Sequence, residues 1–199
     1  EIHSVNRKQK LVSKLSRNLD RNYKNYDLMF DELEYFQSHR SDNLINATLS
    51  TEDRHFYKHM GFDYVRIVKA LISNITSRSL SEGASTITQQ YARNLYLNYE
   101  KTWKRKLEEA ILAFELEVHY TKKEILEGYL NTINYGGVFG IENASQYYFN
   151  KSAKDLDLAE ASMLAGIPQS PSNYSPLFNL QLAKKRQNTV LKLMYNNKN

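Results

Sequence analysis

Residues 51–59, TEDRHFYKH, set Glu52 beside Asp53 and place His55 and His59 four residues apart. Three chemistries fit that composition. Two imidazoles at i and i+4 with a carboxylate nearby are a hydrolytic zinc set. A carboxylate in a cleft is a general base for sugar chemistry. Two acids in a first helical turn are ordinary partners of the macrodipole. Zinc is disfavoured, because zinc metallopeptidases place glutamate directly after the first histidine and here that position is Phe56. Ala47, Leu49 and Phe56 point to a helix already under way and partly buried. Neighbouring helical residues project about 100° apart, so one carboxylate can face a cleft while the other ties down backbone.

A second acid stands out in KRKLEEAILAFELEVHY, the clearest helix of the chain. Leu107, Ile111, Phe114 and Val118 form one apolar stripe, and Leu112, Ala113 and Leu116 form another. The helix is therefore expected to be buried on two faces, with Glu108, Glu115 and Glu117 in the solvent-facing gaps. Glu109 falls inside the second stripe, where a carboxylate is costly unless it is paired or used. Lys101, Lys104, Arg105 and Lys106 crowd the N-terminus of this helix. The macrodipole prefers acids there, so bases are misplaced unless an anion sits among them. GASTITQQYARN adds hydroxyls and amides: Ser85 or Thr86 as an N-cap, with Gln89, Gln90 and Arg93 suited to hydrogen-bonding sugar or phosphate.

These groups need elements to carry them. The chain has 199 residues, 41% of them hydrophobic and 25% charged, as in an ordinary globular domain with a sizeable core. Helical spacing dominates and strand-like alternation is scarce, so the fold class is mainly α. A helix is expected to run through Glu52 and Asp53 to a stop at Gly61, followed by an apolar helix, YVRIVKALISNI. Thr121 with Glu124, and Asp157 with Glu160, are capping boxes. Residues 1–40 are basic and polar, a linker or helix leading from an upstream membrane anchor; residues 41–199 are core-like. No cysteine is present, which leaves the compartment open, and a net charge of +5 favours an anionic partner.

Five ordered segments, TEDRHFYKHMGFD, EGASTITQQYARNLYL, RKLEE, EILEGYLNTINYGGVFGIENASQYYF and LAEASMLAGIPQSPSNYSP, resemble glycosyltransferase family 51. These are the peptidoglycan glycosyltransferases of monofunctional polymerases and of class A penicillin-binding proteins. The resemblance covers roughly residues 44–194. It implies a lysozyme-like fold with a head lobe and a small membrane-facing jaw, lipid II and the growing glycan chain as substrates, and susceptibility to moenomycin. Glu52 matches the family's general base, and Glu109 its second essential glutamate. Asp53, Ser85, Thr86, Gln89, Gln90, Arg93, Lys101, Arg105 and Lys106 would serve the substrate, while Phe56, His59 and Gly61 shape the cleft.

The pyrophosphate leaving group would be stabilised by cationic side chains, with or without a divalent magnesium or manganese ion. The expected location is the outer face of the bacterial cytoplasmic membrane, beside membrane lipids and other cell wall synthesis proteins. No nucleic acid partner is expected. Ala84, Arg93 and Asn150 depart from the residues usual at their positions. No Ser-x-x-Lys transpeptidase motif is present, so a transpeptidase half would lie beyond Asn199. A lysozyme-like muramidase and a basic nucleic-acid-binding domain are the competing readings.

FDYVRIVKALISNI is apolar on more of its circumference than one core contact requires, and too short to span a bilayer. Replacing Ile72 and Ile75 with Ser is expected to weaken binding to anionic vesicles and raise the apparent KM for lipid II. Turnover of a short-chain soluble analogue should change far less. Unchanged vesicle binding in a folded variant would assign this segment to the core.

Overall fold

The computed structural model describes residues 41–64, 85–96 and 102–197. The expected linker over residues 1–40, most of the apolar jaw segment, and Lys101 lie outside them. Among the described residues the structure is helical, with one isolated antiparallel bridge between Asn134 and Phe139. The helices are α1 (Asp42–Glu52), α2 (Ile87–Tyr96), α3 (Trp103–His119) and α4 (Lys122–Thr132), then α5 (Ile141–Phe149) and α6 (Leu158–Gly166). A single turn, α7 (Pro171–Tyr174), precedes α8 (Leu180–Asn197).

Local chemistry accounts for the helix starts. Thr102 Oγ1 accepts from the Arg105 amide at 3.1 Å to begin α3. Thr121 and Glu124 cap each other's backbone at α4, and Asp157 and Glu160 do the same at α6. Each such cap contributes about 1 kcal/mol. At the other end, α5 stops at Asn150, which is left-handed at φ 54° and sends its amide to the Gln146 carbonyl. Asparagine tolerates that conformation because its short polar side chain bonds locally, which explains how it stands where glycine is usual.

The helices meet around one main core that includes Leu44, Phe56, Ile87, Ile125, Tyr129, Tyr135 and Leu164. A smaller cluster joins Ala47, Ala165, Val190 and Met194. Through Leu44 and Ala47, α1 belongs to both clusters, packing on α6 and α8. α2 packs on α3 and α4. At the α2–α4 contact the Tyr91 hydroxyl fills the space a side chain at Gly128 would need, 2.2 Å from an added Cβ. Glycine inside a helix is unfavourable by about 1 kcal/mol; here it lets the two helices close up.

Two expectations change. The helix through residues 51–59 ends at Glu52 instead of near Gly61. Asp53 leaves helical geometry at φ −159°, ψ 77°, and Phe56–Lys58 is a separate 3₁₀ turn. His55 and His59 therefore do not share an α-helical face. Gly61 turns the following chain at φ 80°, where a Cβ would stand 3.3 Å from the Ala113 carbonyl oxygen of α3.

The second change concerns α3. It buries Glu109, Leu112, Ala113 and Leu116, but Leu107, Ile111, Phe114 and Val118 are each more than half exposed. Spacing identifies a stripe, not what covers it. Glu117, expected in solvent, is instead buried. It accepts from Thr88 Oγ1 at 2.5 Å and pairs with Lys122 at 2.7 Å.

Asn150→Ala is expected to lower stability by about 1 kcal/mol through the left-handed backbone, while Asn150→Gly should be nearly neutral. Denaturant midpoints at constant m-value decide it; equal losses would mean the Asn side chain, and not φ, matters.

Candidate active site

Glu52 is the last residue of α1, and its side chain is 11% exposed. Carboxylates are unfavourable in the last turn of a helix, where the macrodipole is negative, and α1 carries no basic residue there. That removes the first-turn explanation for the acid pair. Compensation comes from other elements. Gln90 Nε2, on α2, donates to Glu52 Oε2 at 2.9 Å. The Arg186 guanidinium, on α8, stands 3.9 Å from Oε1. Arg186 is itself held over the Tyr174 ring and donates to the Gly166 carbonyl at 3.4 Å. Nothing in the spacing of residues so distant in sequence pointed to Arg186.

Asp53 does different work from its neighbour. Its carboxylate, 1% exposed, meets His59 Nε2 at 3.0 Å through both oxygens and accepts from the Ile87 amide at 3.1 Å. Ile87 is the first residue of α2, so Asp53 occupies an orphan donor at that helix start. His55 is bound to a different acid, Asp63, at 2.8 Å. The two rings thus diverge onto separate carboxylates. Phe56 is buried beneath Tyr57 and His59 in edge-to-face contacts, with the Lys122 ammonium 4.4 Å from its centroid.

The opening of α2 is buried and polar. Thr86 and Gln89 form a reciprocal cap: the Thr86 amide donates to Gln89 Oε1, and the Gln89 amide to Thr86 Oγ1, at 3.0 and 3.2 Å. Thr86 Oγ1 also donates to the Gly61 carbonyl at 2.7 Å. Both residues, expected at the substrate, hold the scaffold through these bonds, as Asp53 does through its own. A hydroxyl or amide that caps a helix cannot be told by type from one that binds sugar. Ser85 is partly exposed and its hydroxyl accepts from Lys106 Nζ at 2.9 Å.

Glu109 fulfils the conflict seen in its stripe. It is fully buried and surrounded by three cations: Arg105 at 2.6 Å, Lys106, and Arg93 at 3.8 Å. Arg93 Nε is buried with no partner among the described residues. One carboxylate under three cations leaves two positive charges in excess, in side chains 14–39% exposed. Such a cluster attracts an anion with several oxygens. It does not suit a protein-held divalent cation, since the only carboxylate is saturated by bases. Among the described residues no group of three His, Cys, Asp or Glu side chains could hold a metal.

Glu109→Gln keeps the shape but leaves the cations unneutralised, so a loss of about 3–5 kcal/mol is expected, as when one partner of a buried pair is removed. Millimolar inorganic pyrophosphate should raise the melting temperature of this variant more than that of the parent chain. Equal shifts in both proteins would show that the cluster does not take anions.

The family model described as Transglycosylase matches residues 31–195. Penicillin-binding protein 2D of Bacillus subtilis is 55% identical over 152 residues, which are 76% of this chain and 22% of that protein. Penicillin-binding protein 1A of Neisseria lactamica is 48% identical over 156 residues, 78% of this chain and 20% of that one. A crystal structure of penicillin-binding protein 1A from Haemophilus influenzae is 30% identical, covers 56% of this chain and 14% of that chain, and has a TM-score of 0.37. The chain spans about a fifth of the length of the curated relatives it matches. With a family model covering most of its length and relatives near half identity, this helical chain belongs to the transglycosylase family.

Proposed function

We propose that this domain is an inverting peptidoglycan glycosyltransferase that extends glycan chains from lipid II. The observation that carries it is that α2 reaches both acids: its Gln90 donates to Glu52, a slightly exposed carboxylate at a helix end, and its Arg93 belongs to the cation-rich cluster around Glu109. In this reading Glu52 takes the proton from the 4-hydroxyl of the acceptor GlcNAc. That oxygen bonds to C1 of the donor MurNAc as the bond from C1 to the pyrophosphate oxygen breaks. The electron pair leaves on undecaprenyl pyrophosphate, and direct displacement converts the α linkage into β-1,4.

Pyrophosphate is a stable leaving group and needs charge compensation more than a proton. Arg93, Arg105 and Lys106 would provide it as fixed positive charge, with Lys101 beside them by sequence. Glu109 keeps the cations gathered while the anion is away. Among the described residues no group of carboxylates or histidines could hold the magnesium or manganese ion the resemblance allows for, so no step is assigned to it. Arg105 and Lys106 turn inward onto Glu109, which supports a compact anionic group over a nucleic acid backbone.

The same reading places the domain on the outer face of the cytoplasmic membrane, where a lipid-linked substrate resides. Among the described residues no helix is long and apolar enough to cross a membrane. A transpeptidase domain and other cell wall synthesis proteins are the partners this reading expects.

Glu52→Gln is expected to reduce polymerisation of labelled lipid II by about 10²- to 10⁴-fold, with thermal unfolding little changed. Product length on a gel is the readout. Activity within tenfold of the parent would remove Glu52 as the base, and shortening of preformed glycan in place of growth would make the domain a hydrolase.

A further inference from the structure

Behind Glu52 the hydrogen bonds continue into the core. Gln90 Nε2 donates to Glu52 Oε2 at 2.9 Å, and Gln90 Oε1 accepts from Tyr129 Oη at 3.3 Å. Gln90 is 8% exposed and Tyr129 fully buried. A primary amide has a donor end and an acceptor end. Turned as here, its NH₂ meets the carboxylate; turned over, its carbonyl oxygen would meet a negative charge. A phenol that must donate selects the first orientation. Burial, and next the charge of Glu52, hold the Tyr129 phenol well above its ordinary pKa, so it stays a donor across the working pH range. Tyr135, Arg93 and Asp53 are the other titratable groups acting on it. The close α2–α4 approach at Gly128, one residue earlier on α4, sets the distance between Tyr129 and Gln90.

We propose that Tyr129 is a positioning residue for glycosyl transfer: its hydroxyl locks the Gln90 amide with the NH₂ on Glu52, fixing which carboxylate lone pair meets the acceptor hydroxyl. This rests on the glycosyltransferase reading above. Tyr129 touches no substrate in this arrangement and acts only through Gln90. An aromatic residue serving the core alone would need its ring and not its hydroxyl. The hydroxyl is therefore the part to remove.

In Tyr129→Phe, kcat on lipid II is expected to fall about tenfold or more, since small misplacements of a reacting group are costly, while KM stays within about twofold. In a Gln90→Met background the same change should cost less than about twofold, as expected for two residues acting in one chain. An unchanged kcat, or an equal loss in both backgrounds, overturns the proposal.

A readout that needs no substrate accompanies this. The ¹⁵N side-chain amide signals of Gln90, identified by their loss in Gln90→Met, should exchange slowly with solvent in the parent and faster in Tyr129→Phe. Surface-like exchange in the parent overturns the proposal whether or not the variants fold. A parent chain that shows the slow amide but no polymerisation overturns the activity reading instead.

Discussion

One carboxylate, Asp53, stands where α1 ends and α2 begins, 3.1 Å from the Ile87 amide and 3.0 Å from His59. To reach both, its backbone abandons the helix, which makes Glu52 the terminal residue of α1. The same contact fixes the start of α2 against α1. Gln90 then lies one turn into α2, where its amide reaches Glu52. A group as buried as Asp53 is unfavourable without partners; with a backbone donor and an imidazole it ties two helices and a loop together. The adjacency of Glu52 and Asp53 is thus a division of labour: one organises the backbone, and the other is left slightly exposed at the end of α1.

Around this junction the buried surface is unusually polar. Thr86, Thr88, Gln89 and Gln90 all have exposures below a tenth in the first turns of α2. Each has a partner: Gly61 for Thr86, Glu117 for Thr88, a cap for Gln89, and Glu52 with Tyr129 for Gln90. Leaving any one unpaired would be unfavourable by about 1–3 kcal/mol. Satisfied networks of this kind rigidify their surroundings, which is what the general-base role proposed for Glu52 would require. The opposite ends of the network, α8 through Arg186 and α4 through Tyr129, supply most of the constraint on Glu52 from elements far away in sequence.

The helical class, both capping boxes and the anomaly of Glu109 were legible because each is a local signal. A cap is read from four residues, and a charge in an apolar stripe from one helix. The end of α1 was not legible, since it depends on Asp53 finding the Ile87 amide after an intervening segment. The exposed stripe of α3 misled for a related reason: periodicity reports a face and says nothing of its neighbour. Family resemblance selected Glu52 and Glu109 together, but it could not separate Thr86 and Gln89, which hold the scaffold, from Ser85 and Lys106, which line the cluster. Arg186 and Tyr129 had no local signature at all.

Two carboxylates of α3 show why burial alone does not mark a working residue. Glu117 and Glu109 are both buried. Glu117 meets one cation, Lys122, and one hydroxyl, Thr88, so its charge is balanced and its surroundings are closed. Glu109 meets Arg93, Arg105 and Lys106, and the balance is exceeded by two positive charges. Like charges so close repel one another, and one carboxylate offsets only part of that. Such an arrangement persists where a further anion completes it. The asymmetry between two acids on one helix, alike in burial but unlike in the charge around them, is what makes the N-terminal end of α3 the candidate for binding the proposed pyrophosphate.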